Sequence, residues 1–185
     1  MLGGAVRVLK RDGVDALTTN RIAEVAGVSI GSLYQYFPDK HAIFEALHRR
    51  HVQESRQLVD QTVVAHAASS LDELLRALTE ALIDAHAGEP ELHELLGRWF
   101  PLRADGSPGL RGALQQVISS RARGVTLRDL DQILFVVPNL VDTLAHEAVL
   151  CRPRDLSLAS AREEAASAIS TYLRSRIPDA RSSVA

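Results

Sequence analysis

The sequence predicts an all-α protein of about nine helices. Three observations carry that reading. Apolar residues recur at three- and four-residue spacing along most of the chain, as Leu71, Leu74, Leu75, Leu78 and Leu82 do. Gly13, Gly27, Gly88 and Gly124 fall at the ends of such stretches, where glycine closes a helix cheaply. Thr18, Ser29, Asp39, Ser70, Thr126 and Ser157 stand just ahead of them, each able to accept a bond from an unpaired N–H of a first turn. The run ILFVV at 133–137 reads as a strand in isolation, but helical periodicity over the flanking two dozen residues outweighs it. With 185 residues, 46% hydrophobic and only 4% aromatic, the chain suits a Leu/Ala-rich helical protein of one or two small domains.

Helix 1 is expected over about 4–11, ended by Gly13. Thr18 caps helix 2, whose Ile22, Ala23 and Ala26 share a face. Gly27 makes the turn, Val28 plugs it, and Ser29 opens a short helix 3 with Leu33 and Phe37 on one face. Pro38 stops that helix and Asp39 caps a long helix 4 over about 40–66. Ser70 with Glu73 has capping-box spacing and opens helix 5, to about residue 86. Helix 6 starts at Pro90 and ends near 100; a loop follows over 101–109. Helix 7 then runs to about 121, helix 8 over about 127–150 and helix 9 over about 158–176, with a frayed tail at 179–185. Helix 8 is apolar on more than one side, with Leu130, Leu134, Val137, Val141, Leu144 and Ala148 in one stripe and Ile133, Val136 and Leu140 in another.

Helices 2 and 3 carry the chemistry. Two helices joined by a glycine turn, the second with an outer face of Ser29, Ile30, Ser32, Tyr34, Gln35 and Tyr36, suit insertion into a DNA major groove. Gln35 can pair with adenine N6 and N7, and Ile30 can pack on a thymine methyl. Ser29 and Ser32 are further candidates for base edges, and Gly31 allows close approach because no Cβ intervenes. The competing reading makes Tyr34, Tyr36 or Ile30 part of the domain's own packing.

The stretch AGVSIGSLYQYFPDK closely resembles the TetR family of transcriptional regulators. Ala26, Gly27, Val28, Ser29, Gly31, Leu33, Tyr34, Tyr36, Phe37 and Lys40 sit where that family's pattern wants them, and Gly13, Thr18, Ile22 and Ala23 match upstream. The likeness covers about residues 5–47. It implies that Ser29, Ile30, Ser32 and Gln35 meet base edges and that Tyr34, Tyr36, Thr18, Thr19 and Lys40 meet phosphates, contacts that position rather than specify. It implies a DNA-binding domain over 1–47, a ligand-sensing and dimerisation domain over 48–178, and a homodimer whose helices 8 and 9 form a four-helix bundle on a palindromic operator. Leu130, Leu134, Val137, Val141, Leu144, Ala168 and Tyr172 are the expected dimer contacts. The resemblance further implies a repressor, and release by a small molecule that shifts helix 4, the link between the two domains, is expected. Trp99, Phe100, Phe135, Asn139, Asp142 and His146 are the expected pocket residues, with Pro138 kinking helix 8 beside them. Trp99 has a competing assignment as core. Family members often carry basic residues ahead of helix 1; here Met1 and Leu2 already fall in its first turn, so weaker DNA binding is expected than with a basic extension restored.

Charge and cysteine content narrow the rest. Residues 1–56 hold eight Lys/Arg against six Asp/Glu, and residues 57–185 thirteen against seventeen, a weak asymmetry within a net charge of −2. That is well short of a strong non-specific DNA binder. A single cysteine, Cys151, excludes an intramolecular disulfide, fits the cytoplasm and is expected as a small buried residue. No signal peptide is recognisable, and no uninterrupted apolar run approaches the roughly 20 residues that span a bilayer. No cofactor, metal site or catalytic residue is expected. Two other readings compete: a helical protein-interaction module, or a metal-dependent helical enzyme using Glu45, His48 and His51. The second lacks the further Glu-x-x-His unit that helical di-iron proteins need.

Overall fold

The computed structural model describes residues 1–100, 108–121 and 124–177. Among these the chain forms α1 (Leu2–Asp12), α2 (Thr19–Ala26), α3 (Ile30–Tyr36), α4 (Lys40–Ala65), α5 (Leu71–Gly88), α6 (Pro90–Trp99), α7 (Pro108–Arg121), α8 (Leu127–Leu150) and α9 (Leu158–Arg176), with no strand. Most of the loop expected at 101–109 and the tail at 179–185 lie outside the described residues. Two compact units result: Met1–Gln53 with Glu89–Leu102, and Glu54–Gly88 with Arg103–Ala185. This departs from the expected break after residue 47. Helix α6 belongs to the first unit because Leu92, Leu95 and Leu96 bury themselves among Ala5, Val8, Leu9, Phe44 and Leu47.

The first unit is built by local caps. The Thr18 hydroxyl accepts from the Arg21 N–H at 3.2 Å. At Gly27 the backbone turns left-handed, φ 69° and ψ 32°. The Gly27 N–H then reaches the carbonyls of Ala23 and Glu24, and the Val28 N–H reaches that of Ala23 at 3.0 Å. These are the paired bonds of a Schellman closure, which only glycine enters without a Cβ penalty. Asp39 Oδ1 accepts from the Ala42 N–H at 2.8 Å and so starts α4. Helix α1 lies very close to α2: a Cβ added at Gly4 would stand 2.8 Å from Ala26 Cβ and 3.1 Å from its Cα. Arg7 Nη2 donates to the Val25 carbonyl at 2.8 Å across the same seam.

In the second unit α5, α8 and α9 pack on one another, and α7 packs on α8. The capping box at its entry is complete: the Glu73 N–H donates to Ser70 Oγ at 3.2 Å, and the Ser70 N–H donates to the Glu73 carboxylate at 2.8 Å. Those bonds hold the Glu73 carboxyl below its usual range. Leu74, Leu75, Ile83, Ile133, Ile169 and Leu173 lie wholly within this core, each stabilising the fold by about 1.5–3 kcal/mol.

Helix α8 corrects several expectations. Leu134, Val137 and Val141, expected at a subunit interface, are 4%, 0% and 0% exposed within their own chain. Leu130, Leu144 and Tyr172 also pack partly against that core, while Ala168 is exposed. A helix with two apolar sides does not reveal in its periodicity which side its own chain will cover. The side left outermost holds Phe135, 58% exposed. Pro138 is buried inside a helix that continues to Leu150. Its missing N–H leaves the Leu134 carbonyl without the helical donor. Helix α8 is also long and apolar enough, by length and composition, to cross a membrane, although no uninterrupted apolar run suggested it. Much of that apolar surface is the core just described. Cys151, expected buried, is exposed at the end of α8, where the Glu147 carboxylate pushes its thiol up.

Two stability outcomes are expected. Gly4→Ala improves helix propensity by up to about 1 kcal/mol, yet forces a methyl against the α2 backbone. Overpacking of this kind costs about 1–3 kcal/mol, so urea unfolding should show a net loss; a gain would mean that α1 and α2 separate freely. Asp12 is held by Arg11 Nε at 2.7 Å and Arg21 Nε at 3.1 Å. The hydrogen bond from Arg11 leads in lowering its carboxyl to about 2, from 3.8. A lowered carboxyl stabilises the fold above its unfolded value and loses that contribution as pH falls towards the folded one. The urea midpoint of the protein should therefore exceed that of Asp12→Asn at pH 5, and the gap should close as pH falls towards about 2.

Candidate nucleic-acid interface

Helix α3 presents one face inward and one outward because seven residues make only two turns. Leu33 is buried in the first unit's core, with Val28 and Phe37 packed beside it. Outward stand Ile30 at 38% exposure, Tyr34 at 48% and Tyr36 at 71%, with Ser29, Gly31 and Gln35 also exposed. The Ser29 hydroxyl accepts from the Ser32 N–H at 3.0 Å and lies 2.8 Å from the Ser32 hydroxyl, so these two serines serve the helix start as well as any outer contact. Tyr34 Oη lies 3.3 Å from Thr19 Oγ1, which ties the outer face of α3 to the first turn of α2. Both hydroxyls keep capacity for a further oxygen ligand. A Cβ at Gly31 would meet only Ser29 Oγ, at 3.8 Å. Nothing in the chain's own packing thus requires glycine there.

The cations around this face are only partly neutralised. Arg21 bonds Asp12 and Glu24. Lys40 Nζ stands 5.2 Å from the centre of the Phe44 ring, within cation–π range. It also lines a cavity of about 400 Å³ with Val14, Asp15, Phe44, Arg98 and Trp99. Arg98 bonds Asp15 at 3.2 Å and Glu94 at 2.7 Å. The Lys40 and Arg98 cations thus share this cavity with the Asp15 carboxylate.

The expected pocket residues do not share one unit. Trp99 and Phe100 belong to the first, where Trp99 packs edge-on to Phe44 at 5.2 Å and is 47% exposed. Phe100 stacks on His48 at 4.5 Å. Their assignment to the second domain followed from placing the boundary at residue 47. Of the residues in the enzyme reading, Glu45 pairs with His41 and Arg49, His48 lies flat on Phe100, and His51 sits edge-on to His93. In the second unit, Phe135 is on the surface and Asn139 Nδ2 donates to the Phe135 carbonyl at 2.6 Å. Asp142 and His146 are half-buried, one turn apart on α8. Burial pushes the Asp142 carboxyl up, with His146 opposing.

Sequence reasoning passed over His86, which is buried on α5 with its ring 6.4 Å from that of His146. Burial pushes it down, while its bond to the Leu82 carbonyl acts the other way. The signal was present: His86 follows Leu78 and Leu82 at four-residue steps, on the apolar face.

A model of bacterial regulatory proteins of the tetR family matches residues 1–47, and one of the tetracyclin repressor-like C-terminal domain matches residues 70–173. The nucleoid occlusion factor SlmA of Actinobacillus pleuropneumoniae serotype 5b (strain L20) is 41% identical over 59 residues, which are 32% of this chain and 25% of that protein. The chain thus spans about a quarter of the length of the curated relatives it matches. Solved structures share the fold over nearly the whole chain. A TetR-family transcriptional regulator from Streptomyces coelicolor superposes with a TM-score of 0.66 at 22% identity, covering 95% of this chain and 96% of that one. The regulator FadR from Bacillus subtilis, in complex with stearoyl-CoA, gives 0.62 at 17% identity, covering 92% and 96%. With its helix-turn-helix matched by one model and more than half its length by the other, the chain belongs to the tetR family of bacterial regulatory proteins.

Proposed function

We propose that this protein is a transcriptional regulator of the cytoplasm, without enzymatic activity, that binds a palindromic operator as a homodimer and is released by a small molecule. The observation that carries the reading is the outer face of α3. It exposes Ile30, Tyr34, Gln35 and Tyr36 around a glycine at residue 31 that its own packing does not demand. A surface of this kind is matched to something that must come very close, and a groove floor with its base edges fits. Gln35 and Ile30 read bases; Ser29 and Ser32 approach through Gly31; Tyr34, Tyr36, Thr18, Thr19 and Lys40 hold phosphates. Two copies associate through α8 and α9, using the sides their own core leaves open, Phe135 and Ala168 among them. The effector enters the second unit, and α4, which contributes residues to both units, carries the response. FadR's complex with stearoyl-CoA supports a small-molecule effector for this fold.

Selection of bound duplexes from a random DNA pool tests the reading. The protein should enrich a palindrome. Gln35→Ala should weaken binding by about 1–3 kcal/mol and relax the preference at one position of each half-site. Lys40→Ala should weaken all sequences alike and lower the slope of log affinity against log salt by about one unit per site. Absence of any enriched sequence would shift the assignment of the α3 face to a protein partner.

A further inference from the structure

We propose that the cavity lined by Phe44, Trp99 and Lys40 binds a small aromatic carboxylate, and that this molecule competes with an operator phosphate for Lys40. The competition rests on the DNA-binding function proposed above; the site itself does not.

All six residues that line the cavity belong to the first unit. Val14 and Asp15 lie in the connection from α1 to α2, Lys40 and Phe44 one turn apart at the start of α4, and Arg98 and Trp99 at the end of α6. The volume of about 400 Å³ falls within the range of small-molecule sites. Phe44 is 1% exposed and closes the floor, whereas Trp99 keeps 47% of its surface open. The ring contacts of Trp99 with Phe44, at 5.2 Å, and with His41, at 6.1 Å, are both edge-on. No ring among the described residues stacks on the indole, so a planar guest can do so and cover apolar surface now in water. Lys40 Nζ and the Trp99 ring each stand 5.2 Å from the centre of the same Phe44 ring. A cation and an open indole flanking one aromatic floor are within the span of a single small molecule.

Charge decides the class of guest. Arg98 bonds Asp15 at 3.2 Å and Glu94 at 2.7 Å, so these three groups answer one another. Lys40 has no carboxylate within ion-pair distance among the described residues; its ammonium lies over the Phe44 ring instead. A guest carboxylate can bond that ammonium while its ring lies on Trp99. A cationic guest would meet Lys40 directly and could reach Asp15 only by displacing Arg98. Lys40 is also the side chain assigned above to an operator phosphate. One ammonium engaged by a carboxylate in the cavity is withdrawn from the DNA backbone, so the two anions exclude each other at this residue.

The full chain is titrated with phenylacetate as probe. Trp99 is the chain's only tryptophan, so intrinsic fluorescence reports the site directly, and calorimetry gives the stoichiometry. One molecule per chain is expected, with a Kd of about 1 mM or tighter, in the range that about ten non-hydrogen atoms reach. Phenylacetamide, which lacks the charge, should bind roughly 3- to 10-fold more weakly, and 2-phenylethylamine more weakly still. Lys40→Met should abolish the preference for acid over amide, and Trp99→Leu, followed by calorimetry, should weaken both severalfold. Melting of each variant is recorded alongside. No saturable signal, an amine that binds as well as the acid, or an unchanged preference in folded Lys40→Met overturns the site. The duplex selected above is then titrated with saturating phenylacetate and, because DNA affinity depends on salt, with equal acetate as reference. A severalfold loss of DNA affinity, absent in Lys40→Met, supports the competition; an unaltered affinity overturns it. If no duplex is selected at all, the DNA-binding function fails, while the fluorescence titration still decides the site.

Discussion

The left-handed turn at Gly27 is the constraint on which the first unit depends. Its φ of 69° lets two N–H groups return to α2 and sends the chain directly into α3. An L side chain at that position would pay roughly 1 kcal/mol or more to keep the same backbone, or would open the turn. Opening it would rotate α3 about its own axis. Leu33 would leave the core, and the face that carries Ile30, Tyr34 and Gln35 would no longer point outward together. Ser29 works to the same end by capping α3 one residue later, and Thr19 with Tyr34 braces the outer side. A short helix of low intrinsic stability is thereby held at its N-terminal end and along one flank.

What the sequence made legible was local. Gly27, the Ser70–Glu73 box, and the caps at Thr18, Ser29, Asp39, Thr126 and Ser157 each depend on a side chain and a backbone group a few residues away. Such geometry is written in spacing. Allegiance between distant helices is not. The apolar stripe of α6 was visible, but nothing in its period says that Leu92, Leu95 and Leu96 will bury against α1 and α4. The double stripe of α8 was visible too, and the inward side proved to be the one expected to face a second subunit. The outer face of α3 was readable because it lies within one short helix. The relation of His86 to His146 was not, because it joins helices about 60 residues apart.

Both units pair charges at the surface and bury a few polar groups, His93 in the first among them. The first meets its charges at the surface, in pairs such as Arg98 with Asp15 and Arg21 with Asp12, which exposed solvent weakens. The second places Thr79, His86 and Ser170 inside. Thr79 satisfies itself on the Leu75 carbonyl. Ser170 Oγ is buried without a protein partner among the described residues, an imperfection that burial makes costly. A domain that must respond to something has reason to keep such groups in its interior, since they leave part of its stability to be gained on binding.

The open space at Gly31 has a genetic consequence. A side chain placed there touches almost nothing of its own subunit, so the altered protein should fold, accumulate and pair normally. On the dimeric, operator-binding function proposed above, every mixed dimer formed with a normal subunit would carry one half unable to seat on its half-site. A single altered copy in the cell would then disable much of the normal protein, and such alleles would be dominant rather than recessive. Lesions at Gly27, which prevent the fold from closing, would be silent in the same company.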